Sequence, residues 1–318
     1  MKDEIMSRMK DQYEMRSRTY LPRRSYVLLR LDGVAFHTFT RGLDKPYDAA
    51  LIADMDETAK YLCEKIQGAK FAYVQSDEIS ILLTDFEKTS THAWFDNEVQ
   101  KMVSVSAAMA TAKFNHLRML RNLTGGDIAV DELIFDKMPN QKLAYFDSRA
   151  FIIPDPIEVA NYFIARQKDC TKNSISMAAQ SVYSHTELEG KNSNDKQEML
   201  FQKGINWDKY PTRYKRGGFV TRVEREMVMT DFAGIVQLDS VVEEGDEVTK
   251  AKFRENKKTF TRHNWEHVEI PEFTKDTDFL YSCIPVIASE VISLSEMIKK
   301  TSSSDLEVEE VDSENHMS

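Results

Sequence analysis

The sequence is poor in cysteine, and its three cysteines do not occur in a pattern that carries chemistry. Cys63, Cys170 and Cys283 are far apart, odd in number and without a Cys-x-x-Cys spacing. A disulfide framework and a thiolate zinc site are therefore not indicated. No apolar run approaches the roughly 20 residues that a membrane span needs, and the first residues are charged rather than signal-like. We expect a cytoplasmic protein with no membrane association.

The chain also lacks an excess of positive charge. Its formal net charge is −10, from 42 basic and 52 acidic side chains, which argues against a protein that coats nucleic acid through bulk electrostatics. Acids are dense between residues 305 and 314, and we predict a disordered acidic tail over residues 301–318. Basic side chains are concentrated in three stretches, which fit either a local track for RNA phosphates or an ordinary solvated surface. They are Arg16, Arg18, Arg23 and Arg24; Arg166, Lys168 and Lys172; and Lys209, Arg213, Lys215 and Arg216.

Two short apolar runs each end on acidic residues. Residues 25–31 lead directly into Asp32, and residues 70–75 lead through a serine into Asp77 and Glu78. If the two runs are neighbouring strands of one sheet, these carboxylates meet at one edge of it.

Such a group of carboxylates favours a magnesium site beside a nucleoside triphosphate. Mg²⁺ is a hard cation that takes one or two protein carboxylates together with waters and substrate phosphates. Gly33 suits this site, because backbone that turns sharply beside a metal or phosphate tolerates no side chain. Mg²⁺ promotes the in-line displacement of nucleotidyl transfer, so we interpret the chain as a metal-dependent nucleotidyltransferase. From the turns alone, an ordinary strand-ending turn and an ordinary hairpin turn remain open, because turns favour these residue types.

The predicted elements follow the order strand, helix, strand, strand, helix, strand. They are a strand at 25–31, a helix from Asp48 to Gly68, strands on either side of 76–78, a helix at 94–115 and a strand at 143–153. This order is the split βαβ pattern of a ferredoxin-like antiparallel sheet with packed helices, an α+β fold. Many nucleotide-condensing enzymes use it as their polymerase palm, although a fold does not prove a function.

We predict two parts and a tail. Residues 1–155 form a palm-like catalytic core with an N-terminal helix. Residues 156–300 form a helical and irregular C-terminal extension packed on the palm, with helices at 157–168, 174–184 and 196–203. The acidic tail at 301–318 follows.

Several short stretches occur in the order that a known enzyme family shows. They are residues 30–37 (Arg-Leu-Asp-Gly-Val-Ala-Phe-His), 45–48 (Lys-Pro-Tyr-Asp), 76–78 (Ser-Asp-Glu), 146–149 (Phe-Asp-Ser-Arg), 166–170 (Arg-Gln-Lys-Asp-Cys), and 195–198 (Asp-Lys-Gln-Glu) followed by 214–217 (Tyr-Lys-Arg-Gly). Each stretch alone is a weak signal, but the ordered series over residues 21–219 is specific. On these residues the chain resembles the tRNA-histidine guanylyltransferase family, particularly its guanylyltransferase-like relatives that extend RNA in the 3′-to-5′ direction.

The resemblance implies a site with two Mg²⁺ ions and the catalytic residues Asp32, Asp77 and Glu78. Asp32 and Asp77 would bind both ions, the Gly33 carbonyl would bind one, and Glu78 would support the cluster. The residues implied in nucleotide binding are Asp32, Gly33, Val34, Ala35, Phe36, His37, Lys45, Ser76 and Asp77. Successive backbone N–H groups of such a turn form a nest for anions. The residues implied in contacts to tRNA or a second nucleotide are Arg149, Arg166, Asn173, Lys196, Lys215 and Arg216.

The resemblance also implies substrates and an order of reaction. ATP first activates a 5′-monophosphorylated tRNA, and the 3′-hydroxyl of GTP or another nucleoside triphosphate then attacks the activated phosphate. A homotetramer is implied as well. Family members that add one guanosine to histidine tRNA carry His-Ile-Asn-Asn after the Asp-Cys pair, whereas this chain has Thr-Lys-Asn-Ser at 171–174. We therefore expect template-dependent repair of 5′-truncated tRNA, with base pairing supplying the choice of nucleotide, rather than untemplated guanosine addition.

Two other interpretations remain. A palm-fold nucleotidyl cyclase also uses two acids at the end of a strand and a hairpin turn, and it would consume ATP without RNA. An RNA-binding protein that has kept the fold without activity is the third. The intact Asp32, Asp77 and Glu78 argue against it, because clustered carboxylates repel one another unless a cation is present.

Overall fold

One antiparallel sheet of seven strands organises the residues that the structure describes. The structure is a computed structural model, and it describes residues 4–124, 142–230, 234–237, 239, 250 and 259–286. The strands are β1 (Tyr26–Gly33), β2 (Ala69–Gln75), β3 (Glu78–Leu83), β4 (Phe146–Ile153), β5 (Gly218–Thr230), β6 (Gly234–Gln237) and β7 (Thr259–Val268). The helices are α1 (Glu4–Met9), α2 (Phe36–Phe39), α3 (Ala49–Lys65), α4 (Val99–Thr124), α5 (Pro156–Gln180), α6 (His185–Leu188), α7 (Ser193–Gln202), α8 (Thr212–Arg216) and α9 (Asp278–Cys283).

The described ranges decide what can be said of the predicted tail and of membrane-spanning helices. The tail predicted at 301–318 lies outside the described residues. Within the described residues, no helix has the length and apolar character needed to cross a lipid bilayer.

The first four strands have the order β4-β1-β3-β2 in the sheet. Helix α3 lies between β1 and β2 along the chain, and α4 lies between β3 and β4. The predicted mixed fold of helices and antiparallel sheet is therefore confirmed. Because β1 pairs with both β3 and β4, its C-terminal end lies beside the turn that joins β2 to β3.

Helices cover both faces of the sheet, which explains why the central strands are continuously apolar. Leu29 and Leu31 belong to the core beneath α3 and α4, whereas Leu28 belongs to the core beneath α5 and α9. All three side chains are fully buried, and each contributes about 1.5–3 kcal/mol to folding through that burial. Strands buried on both faces lose the alternation of apolar and polar residues.

Asp48 begins α3 as the sequence predicts. Its side chain accepts a hydrogen bond from the Leu51 N–H at 2.7 Å, which satisfies one of the N–H groups that the first turn of a helix leaves unpaired. Met55 and Leu62 then point into the sheet and are fully buried.

Two helices differ from the prediction. The chain at 157–184 was expected to hold two helices, but α5 runs without a break from Pro156 to Gln180, and Asp169 and Asn173 in the middle of this helix line a cavity. Helix α4 begins at Val99 rather than at residue 94. The three residues before Glu98 have positive φ angles, between 50° and 62°, and they form a left-handed turn that separates this region from the helix.

The prediction of a helical C-terminal extension is incomplete, because this part also adds strands to the sheet. Strand β5 pairs with β2 at its start and with β7 along most of its length. Charged pairs such as Arg225 with Glu266 lie across these strands, so their apolar pattern is weak. Strands of this kind depend on their partners more than on their own propensity.

Gly217 makes the turn from α8 into β5 and provides a test of this connection. Its φ angle is +88°, and a Cβ atom there would lie 2.6 Å from the Tyr73 hydroxyl oxygen and 2.7 Å from the Val74 carbonyl oxygen. We predict that Gly217→Ala lowers the free energy of unfolding by about 2–3 kcal/mol, measured by urea denaturation.

The matched control is Gly42→Ala. Gly42 has a φ angle of +97°, and no atom lies within 4 Å of its added Cβ, so that only the backbone penalty of about 1 kcal/mol is expected. Equal losses in the two variants would show that the contact with Tyr73 and Val74 does not matter.

Candidate active site

The two acidic turns lie side by side at one edge of the sheet. Asp32 at the end of β1 is paired in register with Glu78 at the start of β3. The Gly33 N–H donates a hydrogen bond to the Asp77 carbonyl oxygen at 3.2 Å, which ties the two turns to each other. The structure therefore brings Asp32 together with Asp77 and Glu78, as the order of the strands predicts.

Asp32 and Asp77 form what we call the acidic floor. The cationic side chains nearby, Arg30 and Arg166, pair with Glu78 instead. Burial raises the pKa of Asp77; a hydrogen bond from Ser76 opposes this rise, and the charge of Asp32 adds to it. The negative charges of the two carboxylates on the acidic floor are thus not compensated by these two arginines.

This donor set fits a hard divalent cation. Mg²⁺ is held by one or two protein carboxylates and by substrate phosphates, and the Gly33 backbone, next to Asp32 in sequence, is hydrogen-bonded to that of Asp77. Among the described residues, no group of three or more His, Cys, Asp or Glu side chains is placed to hold a metal ion. A cation on the acidic floor would therefore take its remaining ligands from backbone, water or substrate.

Glu78 has different surroundings from the two aspartates. Its carboxylate pairs with Arg30 at 2.6 Å and with Arg166 at 3.0 Å, and it accepts a hydrogen bond from the Ser80 hydroxyl at 3.3 Å. Burial raises the pKa of Glu78, whereas the two guanidinium groups lower it. Glu78 thus holds two arginines beside the acidic floor, a contact that the sequence analysis missed.

The loop after β1 forms the first of two cavities, which we call the loop cavity. Its volume is about 490 Å³. Ala35 has a φ angle of +53° and turns the chain into α2, where Phe36 packs against Phe114 and Phe146 with ring centroids 5.7 and 5.2 Å apart. A Cβ atom on Gly33 would overlap the Phe36 ring, so aromatic packing is a further reason for this glycine.

Most residues implied in nucleotide binding line the loop cavity. They are Asp32, Gly33, Ala35, Phe36, His37, Lys45, Ser76 and Asp77. Val34 does not line it: its side chain is exposed, and its N–H donates to the Tyr145 carbonyl oxygen at 2.8 Å.

The second cavity follows α5, and we call it the helix cavity. Its volume is about 470 Å³. Asp32, Ser76 and Asp77 line both cavities, so the two adjoin each other at the acidic floor. The other lining residues include Asp169, Asn173, Ser174, Ser176, Met177 and Gln180 of α5, together with Arg30, Tyr47, Arg213 and Tyr214.

The sequence analysis missed the aromatic wall of the helix cavity. The ring of Tyr47 stacks on that of Tyr214 at a centroid distance of 4.6 Å and an interplanar angle of 12°. The Tyr47 hydroxyl donates to the Ser174 carbonyl oxygen at 3.1 Å, and burial raises the pKa of Tyr47 to about 12. Both tyrosines belong to stretches that carry the family resemblance, 45–48 and 214–217. The sequence analysis assigned no role to either side chain.

Three of the side chains predicted to contact tRNA or a second nucleotide lie at or near the helix cavity. Asn173 lines it, and Arg166 is held by Glu78. The Lys196 ammonium donates to the Ser176 hydroxyl at 3.0 Å, and Ser176 lines the cavity.

The other three have different surroundings. Arg149 is 60 % exposed and lies 4.0 Å from Asp147. Lys215 pairs with Asp208 at 3.1 Å, and Arg216 pairs with Glu272 at 2.9 Å. Lys215 and Arg216 are therefore engaged in contacts within the protein, and none of these three lines either cavity.

Comparisons with known proteins agree with the class of enzyme that this geometry suggests. The family model described as tRNAHis guanylyltransferase matches residues 6–154, and the one described as the Thg1 C terminal domain matches residues 157–272. The chain is 38 % identical to a bacterial tRNA(His) guanylyltransferase-like protein solved in complex with ATP, with a TM-score of 0.67, over 89 % of this chain and 99 % of that one. A bacterial protein of the same description, solved in complex with GTP, is 36 % identical, with a TM-score of 0.65, over 89 % and 100 % of the two chains. The tRNA(His) guanylyltransferase of Saccharomyces cerevisiae is 30 % identical over 213 residues, which cover 62 % of this chain and 82 % of that protein.

The relatives that match this chain place it in the class of nucleotidyltransferases, and its two adjoining cavities share a pair of carboxylates at one edge of the sheet. With the matches along most of its length, the chain belongs to the tRNAHis guanylyltransferase family.

Asp77→Asn tests the electrostatic state of the acidic floor. Because the folded protein raises the pKa of Asp77, its ionised form opposes folding once the pH exceeds the pKa of an unfolded aspartate, about 3.9. In EDTA at pH 7 the variant should therefore have a higher melting temperature than the wild type. The difference should vanish below about pH 4, where the carboxyl is protonated in both states. Mg²⁺ should raise the melting temperature of the wild type more than that of the variant.

Glu224→Gln is the control, because it removes a carboxylate that is 72 % exposed on β5. Both variants are compared with the wild type by scanning calorimetry across this pH range. If Asp77→Asn melts at a lower temperature than the wild type in EDTA at pH 7, burial and the neighbouring Asp32 charge do not penalise the ionised Asp77 as described.

Proposed function

We propose that this protein is a Mg²⁺-dependent nucleotidyltransferase that adds nucleotides in the 3′-to-5′ direction to the 5′ end of tRNA, and that its first four strands act as a polymerase-type palm. The observation that carries the proposal is the acidic floor, where Asp32 and Asp77 lie between two cavities. Transfer of a nucleotide requires two phosphorylated partners held side by side, with the developing charge stabilised between them. Similar bacterial proteins solved with ATP and with GTP support nucleoside triphosphates as substrates.

The loop cavity is the proposed site of the nucleoside triphosphate. The exposed Lys45 lines it and would contact the phosphates as a point charge. The N–H groups of Gly33 and Val34 are engaged by protein carbonyls. Those of residues 35–37 lie at the start of α2, where no preceding helical turn accepts them, and they would donate to phosphate oxygens.

The helix cavity is the proposed site of the RNA 5′ end. Arg30 lines it and, with Arg166, is held in place by Glu78. Guanidinium groups fixed in this way would neutralise a 5′-phosphate through charge-assisted hydrogen bonds. Glu78 then supports the reaction through these arginines as well as through its position beside Asp77.

The resemblance to the family implies two successive transfers at this site. In the first, the RNA 5′-monophosphate attacks the α-phosphate of ATP and pyrophosphate leaves. In the second, the 3′-hydroxyl of an incoming nucleoside triphosphate attacks the activated 5′-phosphate and AMP leaves. Asp32 and Asp77, with the Gly33 carbonyl, would hold Mg²⁺, which lowers the pKa of an attacking hydroxyl and stabilises a leaving pyrophosphate. Lys45 would keep the triphosphate oriented during both steps.

Template-dependent repair of 5′-truncated tRNA is the proposed physiological reaction. Residues 171–174 stand where guanosine-adding family members carry a histidine. Asn173 lines the helix cavity, and the Thr171 hydroxyl donates to the Lys215 carbonyl oxygen at 3.3 Å. Without the imidazole, pairing with the opposite RNA strand would select the added nucleotide. A homotetramer, which the resemblance implies, and the cytoplasmic location expected from the sequence belong to the same proposal.

The proposal predicts growth of an RNA at its 5′ end. The protein is incubated with Mg²⁺, the four nucleoside triphosphates and an internally labelled tRNA that lacks its first nucleotide and carries a 5′-monophosphate. We expect a product one nucleotide longer at the 5′ end, formed faster than any product from full-length histidine tRNA. Changing the opposite base in the 3′ strand should change the added nucleotide accordingly. Asp32→Asn should slow the reaction by at least roughly a hundredfold, whereas Glu224→Gln should not.

Other outcomes identify the alternatives. Addition of guanosine whatever the opposite base indicates untemplated guanosine addition. A cyclic product from ATP without RNA indicates a nucleotidyl cyclase. Unchanged activity of Asp32→Asn would reject the acidic floor as the catalytic centre.

A further inference from the structure

Residues 210–217, which we call the strap, form part of the wall of the helix cavity. The strap is fastened to the rest of the protein at several points. The Tyr73 hydroxyl donates to the Arg216 carbonyl oxygen at 2.6 Å, and the Arg216 side chain pairs with Glu272. Two strap side chains, Arg213 and Tyr214, line the cavity.

The side chain of Arg213 connects the strap to α3. Its guanidinium donates to both carboxylate oxygens of Asp56, with distances of 2.6, 2.9 and 3.1 Å. The side chains are 22 % and 17 % exposed, so the pair is partly shielded from water. A bidentate contact of this kind fixes direction as well as distance.

The residue that follows Arg213 in the strap belongs to the aromatic wall of the helix cavity. Tyr214 follows Arg213 directly and stacks on Tyr47. Tyr47 in turn precedes Asp48, which lines both cavities and caps α3. Asp56 lies in the middle of α3 and Asp48 is the N-cap of the same helix, so each tyrosine of the wall is next in sequence to a residue that contacts or caps α3.

The helix cavity behind this wall has the chemistry of a nucleoside site. The wall is aromatic, Met177 offers an apolar contact, and Asn173 and Gln180 offer amide groups. Unpaired bases of RNA are held by such combinations of aromatic surface and amide hydrogen bonds. The acidic floor, where the phosphate would react, is part of the same lining.

We propose that Arg213, held by Asp56, is a positioning residue that places Tyr214 against Tyr47 and so shapes the helix cavity for the terminal nucleoside of the RNA substrate. This inference rests on the proposed function, since it assumes that the RNA 5′ end enters the helix cavity. It adds to that function a site for the nucleobase and the pair that maintains it.

The test compares Arg213→Lys, Asp56→Asn and the double variant in the nucleotide-addition reaction, with the full chain. Lysine keeps the charge but not the bidentate contact. We expect the KM for RNA to rise roughly tenfold in each single variant, which corresponds to about 1.4 kcal/mol. The KM for ATP should change less than about twofold, because Arg213 does not line the loop cavity. The double variant should be no worse than either single variant, as partners in one contact behave.

A second readout separates the nucleobase site from a general loss of structure. The wild type should prefer an RNA with an intact 5′-terminal nucleotide over one whose terminal sugar lacks its base, and the variants should discriminate less. The matched control is Arg225→Lys, which breaks a comparable bidentate pair with Glu266 on β5 and β7. It should leave the KM for RNA and the discrimination unchanged.

The inference is overturned if Arg213→Lys leaves the KM for RNA unchanged, if the two single effects add, or if discrimination against the abasic RNA is unaltered. If the wild type extends no RNA at all, it is the proposed function that fails. Binding of the same two RNAs, measured by fluorescence anisotropy on the wild type and the variants, then decides the role of Arg213 separately.

Discussion

The antiparallel pairing of β1 with β3 is the constraint on which the site depends. It sets Asp32 opposite Glu78. Asp77 lies in the turn between β2 and β3, so that three carboxylates share one edge of the sheet. Arg30 and Arg166 compensate Glu78 but not the two aspartates. Burial of neighbouring carboxylates favours protonation or a bound cation, and the pKa of Asp77 is raised chiefly by burial, with the charge of Asp32 adding to the rise.

The C-terminal half completes what the four-stranded sheet begins. The sheet supplies the acidic floor, but the helix cavity exists only because α5 and the strap cover it. The strap is joined to the core by the Arg213–Asp56 pair and by close packing of Gly217 on Tyr73. Neither half of the chain forms the two-cavity site alone, which agrees with a family defined by two adjacent matching segments.

The parts of this arrangement that could be predicted from the sequence are those encoded locally. Strands buried on both faces, the Asp48 cap and the acid-bearing turns leave strong patterns, and together they place Asp32 beside Asp77. Contacts between distant residues leave none. Glu78 and Arg166 are 88 residues apart, and Lys215 and Arg216 look like an RNA-binding cluster until their acidic partners are seen. Strand β5 was missed for a related reason, because charged cross-strand pairs hide its alternation.

The charge distribution suggests that the two phosphorylated substrates and the cation bind in a defined order. A protein of net charge −10 repels an RNA or a triphosphate at long range, and the acidic floor repels phosphates at short range. The fixed positive groups lie beside the floor rather than on it: Lys45 lines the loop cavity, and Arg30 lines the helix cavity. Each phosphorylated substrate would therefore be held at its own side until a cation neutralises the carboxylates between them. Cation and triphosphate should consequently bind with positive coupling, since the cation removes the repulsion that opposes the triphosphate and the triphosphate supplies further oxygen ligands to the cation.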